Sequence, residues 1–221
     1  MDSLHRFFAE GGFFMVPIGI VLAIGLAIAI ERWIILTGSK VKNRSAFNRI
    51  LPMLHKKDFA AIVNLGKSTD APIVKIIAAG VIRMASSPRR EDIELAMEEG
   101  VMEAIPRLEK RTAYLATLAN IATLLGLLGT IIGLIQAFTA VAAADPAEKA
   151  ALLSSSIAVA MNTTAFGLIA AIPLLLAHSM LVSKTTEIID SLEMAGVKCL
   201  NIISHIQDAP RSRSQDAQSK A

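Results

Sequence analysis

This 221-residue chain is short of cysteine, of charge and of any recognisable set of catalytic groups. Cysteine occurs once, at Cys199, which excludes an intramolecular disulfide framework and the small secreted modules built on one. Charged residues make up 19% of the chain, against about 25% in ordinary soluble domains. The net charge of +3 is too small to argue for nucleic acid as a partner. The four histidines, His5, His55, His178 and His205, are scattered with no second ligand at helical spacing, so no metal site is expected. No Ser/His/Asp or Cys/His constellation can be assembled, so neither enzyme chemistry nor a cofactor is expected. What the chain has in plenty is apolar side chains, 53% of the total, with a mean hydropathy of +0.54. That excess rules out disorder, collagen and coiled coil, and leaves an all-α membrane protein.

Three stretches reach the ~18 or more nearly uncharged residues needed to cross a bilayer. The first covers 11–30 and stops at Glu31-Arg32-Trp33, a charged pair followed by an interfacial aromatic. Ala27-Ile28-Ala29 imitates a signal-peptide cleavage site, but Asp2 and Glu10 stand against Arg6 where a positive leader is required, so the segment reads as an anchor. The second covers 113–144, with no ionisable side chain except Tyr114. At ~1.5 Å per residue it would span roughly 48 Å, beyond a ~30 Å hydrocarbon core, so it must tilt or project. The third covers about 150–182, with Pro173 inside as an expected kink.

Orientation follows from the placement of Lys and Arg. Fifteen of them lie between Arg32 and Arg111, and five lie beyond residue 183, whereas the link between the second and third segments holds only Lys149 and the N-terminus only Arg6. The expected organisation is a periplasmic N-terminus (1–10), a first span (11–37), a cytoplasmic helical domain (38–111), a second span (112–144), a periplasmic turn (145–149), a third span (150–183), a cytoplasmic C-terminal helix (184–208) and a disordered tail (209–221). The three transmembrane helices are expected to extend into a cytoplasmic helical bundle.

Within the basic region, Phe47, Ile50, Leu51 and Leu54 form one apolar stripe. A second, from Phe59 to Leu65, begins near Asp58 and is expected to close at Gly66; a third joins Ile73, Ile76, Ile77, Val81, Ile82 and Met84. Ser87 and Pro88 read as the N-cap and first turn of a long helix that continues from Arg89 into the second span, bending at Pro106. After the third span, Ile188, Ile189, Leu192, Met194, Val197 and Leu200 continue a helical pattern. Gly66-Lys67-Ser68 imitates the end of a phosphate loop, but the motif's first glycine would fall at Ala61 and no strand precedes it, so it reads as a helix end. Asn43-Arg44-Ser45 and Asn162-Thr163-Thr164 match the glycosylation triplet by chance, one being cytoplasmic and the other intramembrane.

The second span carries the more informative pattern. One face, at heptad spacing, is Ala116, Ala119, Thr123, Gly126, Thr130, Gly133, Ala137, Ala140 and Ala144, all small. The third span places Ser156, Ala160, Thr163, Thr164, Gly167, Ala170 and Ala171 on one side, with Asn162 near its middle. In lipid, small residues let helix backbones approach and hydroxyls bond across the gap, so such stripes also suit plain packing seams. Neither stretch contains Asp, Glu, Lys or Arg. Hydroxyls do not exchange protons near neutral pH, so an ion path lined by this chain needs a carboxylate from another chain.

Leu124-Leu125-Gly126-Leu127-Leu128-Gly129-Thr130-Ile131-Ile132-Gly133 resembles the second-span signature of the ExbB/TolQ/MotA proton-channel family, and Asn162-Thr163-Thr164-Ala165-Phe166-Gly167-Leu168-Ile169-Ala170-Ala171-Ile172-Pro173 its third-span signature. With three spans the chain resembles the ExbB and TolQ type more than four-span MotA. The resemblance implies a homo-oligomeric ring, a pentamer, around single-span partners of the ExbD/TolR type, each with a membrane aspartate. It implies a stator or channel subunit that turns proton motive force into mechanical work on the cell envelope, through a TonB/TolA-like or motility effector, in the bacterial inner membrane. Thr130 and Thr164 match the family's pore-facing threonines; Thr123, Thr163 and Asn162 join them as ion-pathway candidates, with Gly126, Gly129, Gly133 and Gly167 as packing positions. Val159 stands where many ExbB and TolQ chains carry glutamate, and Thr123 where many carry proline. The downstream machine stays open, as does H⁺ against Na⁺ as the transported ion. The alternative is a passive scaffold or permease subunit whose small-residue stripes only pack.

Overall fold

The computed structural model describes residues 12–218, with side chains as far as residue 206. The expected periplasmic N-terminus (1–10) and the last three residues of the expected tail lie outside the described residues. Among the described residues there is no strand. The helices are α1 (Met15–His55), α2 (Phe59–Ser68), α3 (Pro72–Ser86), α4 (Arg90–Glu109), α5 (Thr112–Ala143) and α6 (Lys149–Gln218). Stretches in α1, in Arg90–Ala143 and in α6 are long and apolar enough to cross a membrane. Only 17%, 22% and 33% of their most apolar windows are buried within the chain, so most of that surface must meet lipid or other chains. This is an all-α, multi-pass membrane protein.

The backbone divides into two units, one formed by Met1–Trp33 with Arg111–Val182, the other by Ile34–Lys110 with Ser183–Ala221. The second has a core of large aliphatics: Ile50, Leu54, Ile62, Ile73, Ile76, Ile77 and Ile93 are all but sealed from solvent. Each such burial contributes roughly 1.5–3 kcal/mol. Three of the expected stripes supply this core, but Ile82, Met194 and Val197 fall outside it and are exposed.

Local chemistry explains the element ends. α1 closes in a Schellman arrangement: the Asp58 N–H donates to Met53 O (3.0 Å) and the Lys57 N–H to Leu54 O (3.1 Å), with Lys57 left-handed at φ 59°. Asp58 then caps α2, its carboxylate accepting from the Ala61 N–H at 3.1 Å. Gly66 does not end that helix, which runs on to Ser68. A Cβ at Gly66 would lie 2.8 Å from Ala78 Cβ, so the glycine serves the α2–α3 approach.

Two expectations around α4 are corrected. Ser87 is not its N-cap: the following Pro88 holds Ser87 extended (φ −142°, ψ 112°), so Ser87 terminates α3 and Arg89 precedes α4. The Ser87 hydroxyl instead donates to the Asp92 carboxylate, and with Arg89 it holds that carboxyl below the usual range. Nor does α4 run into α5 with a bend at Pro106. Pro106 and Met102 are both exposed, so the Met102 carbonyl freed by the proline meets solvent and α4 continues to Glu109. The break falls at Arg111, which is left-handed at φ 64°.

The expected disordered tail is also not what the backbone shows: α6 is helical through Pro210 to Gln218. Apart from Pro210 this stretch contains no strong helix breaker, and extending a helix already nucleated costs little.

Candidate functional site

The geometry that concentrates polar chemistry in the first unit is the crossing of α5 and α6. It exists because the side chains there are small. A Cβ at Gly167 would stand 2.7 Å from Ala122 O and 3.0 Å from Gly126 Cα; one at Gly126 would stand 3.2 Å from the Cα atoms of both Gly167 and Thr164. Backbone faces backbone, so neither helix has a side chain to move aside. Further along the seam, Gly129 receives Thr163, whose Cγ2 would be 2.4 Å from an added Cβ, and Gly133 receives Ala160 at 2.9 Å. At Gly126, Gly129, Gly133 and Gly167 alike, an added Cβ would thus meet atoms of the facing helix. Pro173 lies inside α6, which continues through it.

Close approach brings two hydroxyls together. Thr164 Oγ1 donates across the seam to Gly126 O at 2.9 Å. Thr130 Oγ1 donates to Leu127 O on its own helix at 2.7 Å and lies 3.1 Å from Thr164 Oγ1. Each hydroxyl has one proton and two lone pairs. With both protons directed to backbone carbonyls, the pair presents acceptor oxygens, and it offers a donor only by giving up one of those bonds. Both threonines are half-buried.

The other candidates are placed differently. Thr163 is 3% exposed, sits under Gly129 and donates to Val159 O at 3.0 Å. Thr123 is exposed and donates to Ala119 O at 3.1 Å. Asn162 is half-buried. Among the described residues no group of three or more His, Cys, Asp or Glu lies together as a metal site needs.

Sequence reasoning missed two supports of this unit. Gly25 of α1 lies against Leu174, whose Cδ2 would be 2.5 Å from an added Cβ, so α1 joins α6 by the same small-residue device. A face analysis of the first span, as made for the other two, could have found it. Arg111, counted only for its charge, makes a two-pronged bond to Glu31 Oε1 and Oε2 (2.6 and 2.8 Å). That contact ties the start of α5 to α1.

Comparison with known proteins gives two findings. The model of the MotA/TolQ/ExbB proton channel family matches residues 68–194, more than half of the chain. A protein of Synechocystis sp. named “Putative biopolymer transport protein ExbB-like 3” is 27% identical over 167 residues, covering 75% of this chain and 79% of that one.

Proposed function

The chain belongs to the MotA/TolQ/ExbB proton channel family, and from that premise we propose that it is the ring-forming channel subunit of an ion-driven motor in the bacterial inner membrane. Five copies surround single-span partners of the ExbD/TolR type. The partner's membrane aspartate passes the Thr130–Thr164 pair, and the work goes to a TonB/TolA-like or motility effector. The N-terminus is periplasmic and the C-terminus cytoplasmic. The chain itself performs no enzyme chemistry, and the transported ion is H⁺, with Na⁺ as the competing cation.

The observation that supports this most is a hydroxyl pair beside a seam whose two helices hold no Asp, Glu, Lys or Arg between residues 112–144 and 150–182. A neutral carboxylic acid donates a proton and fits oxygens whose own protons are engaged. An ionised carboxylate only accepts, so it needs Thr130 or Thr164 to turn its proton away from a carbonyl. The pair therefore distinguishes the two protonation states of a visiting aspartate. One proton crossing about 100 mV releases roughly 2.3 kcal/mol, more than the roughly 0.5–1.5 kcal/mol net value of such a bond.

The test is ion flux through the chain reconstituted with its single-span partner. Thr130→Val and Thr164→Val delete the hydroxyls while keeping the shape, and each is expected to lower flux roughly tenfold or more, as loss of a hydrogen bond to a charged group does. Thr130→Ser and Thr164→Ser are expected to keep it. Unchanged flux in both valine variants would return the stripes to passive packing.

A further inference from the structure

Two side chains of the second and third spans belong to types that titrate, Tyr114 and His178, and only histidine does so near neutral pH. His178 lies on the packed side of α6. Ala160, Gly167, Leu174 and Leu181 recur every seven residues along that helix, and all four are buried. Thr164, Ala171 and His178 form the adjoining row at the same spacing. The imidazole therefore holds the seam position of Thr164 two heptads further on, about 21 Å away at 1.5 Å per residue. It is half-buried, and among the described residues it makes no hydrogen bond or ion pair.

The seam around it is polar where plain packing would be closed. Along the α5–α6 contact Gly133 stands opposite Ala160, Gly129 opposite Thr163 and Gly126 opposite Gly167. Eleven residues beyond that last pair, on each helix, come the buried Leu115 and His178. One turn past Leu115, Thr112 is 5% exposed, and its Oγ1 has no hydrogen-bond partner. On α1, which meets Leu174 at Gly25, Glu31 and the buried Arg32 follow within two turns, Glu31 being bonded to Arg111. Tyr114 of α5 is exposed, and on α6 itself the nearest charge is Lys184, six residues on. A sealed hydroxyl and a half-buried imidazole that lack protein partners are groups that ordered water satisfies. An ionisable side chain kept inside a span despite its cost marks a functional position.

We infer that His178 is the proton-passing group of this chain, the exit through which a proton from the partner's aspartate leaves on the cytoplasmic side. The inference rests on the channel reading above and adds which residue receives the proton and why the ion is H⁺. The gap of about 21 Å from Thr164 is too long for direct transfer, so water carries the proton across it. The neutral ring takes that proton at its unprotonated nitrogen and becomes imidazolium. It then releases the proton of its other nitrogen to water beside Thr112 and is neutral again. Only N–H and O–H bonds form and break. Na⁺ has no equivalent step, and the imidazolium repels it.

The experiment uses the full chain reconstituted with its single-span partner in liposomes, with flux read by a pH dye under a fixed membrane potential. His178→Gln keeps a polar side chain that does not titrate. It is expected to lower proton flux roughly tenfold or more, since a positioned proton-transfer group is worth at least that. At constant total driving force, wild-type flux is expected to fall as the cytoplasmic face is taken from about pH 8 to pH 5, because a ring already protonated accepts nothing. The residual flux of His178→Gln is expected to show no such step. Imidazole added to His178→Ala is expected to raise its flux severalfold, which a packing role would not produce. Circular dichroism controls for folding.

A further arm leaves position 178 intact. In a chain carrying His5→Gln, His55→Gln and His205→Gln, the ring nitrogens of His178 are expected to shift with pH in solid-state NMR. A ring silent across that range, wild-type flux and pH profile in His178→Gln, no effect of imidazole on folded His178→Ala, or Na⁺ carried by the wild type as fast as H⁺ overturns the inference. Flux lost in the two threonine-to-valine variants but kept in His178→Gln removes this inference and leaves the channel reading standing. The reverse pattern keeps His178 in the path and takes the threonines out of it.

Discussion

The two units of this chain are equally helical and are held together by different means. In the unit of Ile34–Lys110 and Ser183–Ala221, large aliphatics such as Ile50, Ile73, Ile76 and Ile93 are sealed inside. In the unit containing α5, Leu124, Ile131, Phe138, Ile169 and Ile172 are exposed, and at Gly126 and Gly167 an added Cβ would meet the backbone of the facing helix. Water drives the first arrangement, because burying aliphatic surface releases it from the solvent. In lipid that drive is missing, so helices associate through close backbone approach and a few hydrogen bonds such as Thr164 to Gly126 O. Ile76 therefore belongs to a sealed core in one unit, while Ile131 stands exposed in the other.

The comparison breaks most visibly on isoleucine. Ile76→Ala leaves a cavity in the sealed core and is expected to cost about 2–5 kcal/mol. Ile131, 50% exposed in the membrane unit, is expected to cost within about 0.5 kcal/mol on the same change. Chemical unfolding of the detergent-solubilised chain, followed by circular dichroism, measures both. Equal losses would mean that the monomer's core extends over the α5 surface that is exposed here.

Glycine sharpens the contrast at a smaller magnitude. An added Cβ at Gly80 meets the far end of Met97, with Cε at 2.3 Å, and a methionine tip turns aside readily. At Gly167 the obstacle is Ala122 O and Gly126 Cα, which belong to a backbone. Gly167→Ala is expected to cost about 1–3 kcal/mol by overpacking and to separate α5 from α6, while Gly80→Ala is expected to cost under about 1 kcal/mol. Loss of the Thr164 to Gly126 O bond in the Gly167 variant would appear as a weakened infrared amide or hydroxyl band. A silent Gly167→Ala would mean that the crossing has room to widen.

Much of this was legible in the sequence, for reasons that differ between the units. The spans follow from uncharged run length: the second was expected over 112–144 and the helix is Thr112–Ala143. The α5 seam was legible because only small residues recur at heptad spacing from Ala119 through Gly126 to Ala137, and all three are buried. Which of the neighbouring threonines would face which was not: Thr163 and Thr164 are adjacent, yet one lies under Gly129 and the other bonds Gly126 O. That choice depends on the rotation of α6 against α5, which composition does not encode. The break at Arg111 was hidden as well, because Pro106 is the conspicuous breaker and a left-handed arginine leaves no mark in a sequence.

The smallest effect separates the units by their left-handed residues. Lys57 and Arg111 share almost the same φ, 59° and 64°, each beside a helix end. For a side-chain-bearing residue that conformation costs roughly 1–2 kcal/mol, and glycine adopts it freely while losing more chain entropy on folding. Lys57 closes the Schellman end of α1 through its backbone, so its side chain is dispensable there. Lys57→Gly is expected to stabilise the chain by roughly 0.5 kcal/mol. Arg111→Gly gains the same relief but loses the two bonds from its guanidinium to Glu31. That pair is about half exposed, with side-chain exposures of 47% and 41%, so its worth is at most about 1 kcal/mol. The relief and the loss nearly cancel, and Arg111→Gly is expected to be neutral or slightly destabilising in the same unfolding measurement. If both glycines stabilise equally, the Arg111–Glu31 contact contributes nothing, and the left-handed turn before α5 is held by the chain on either side of it.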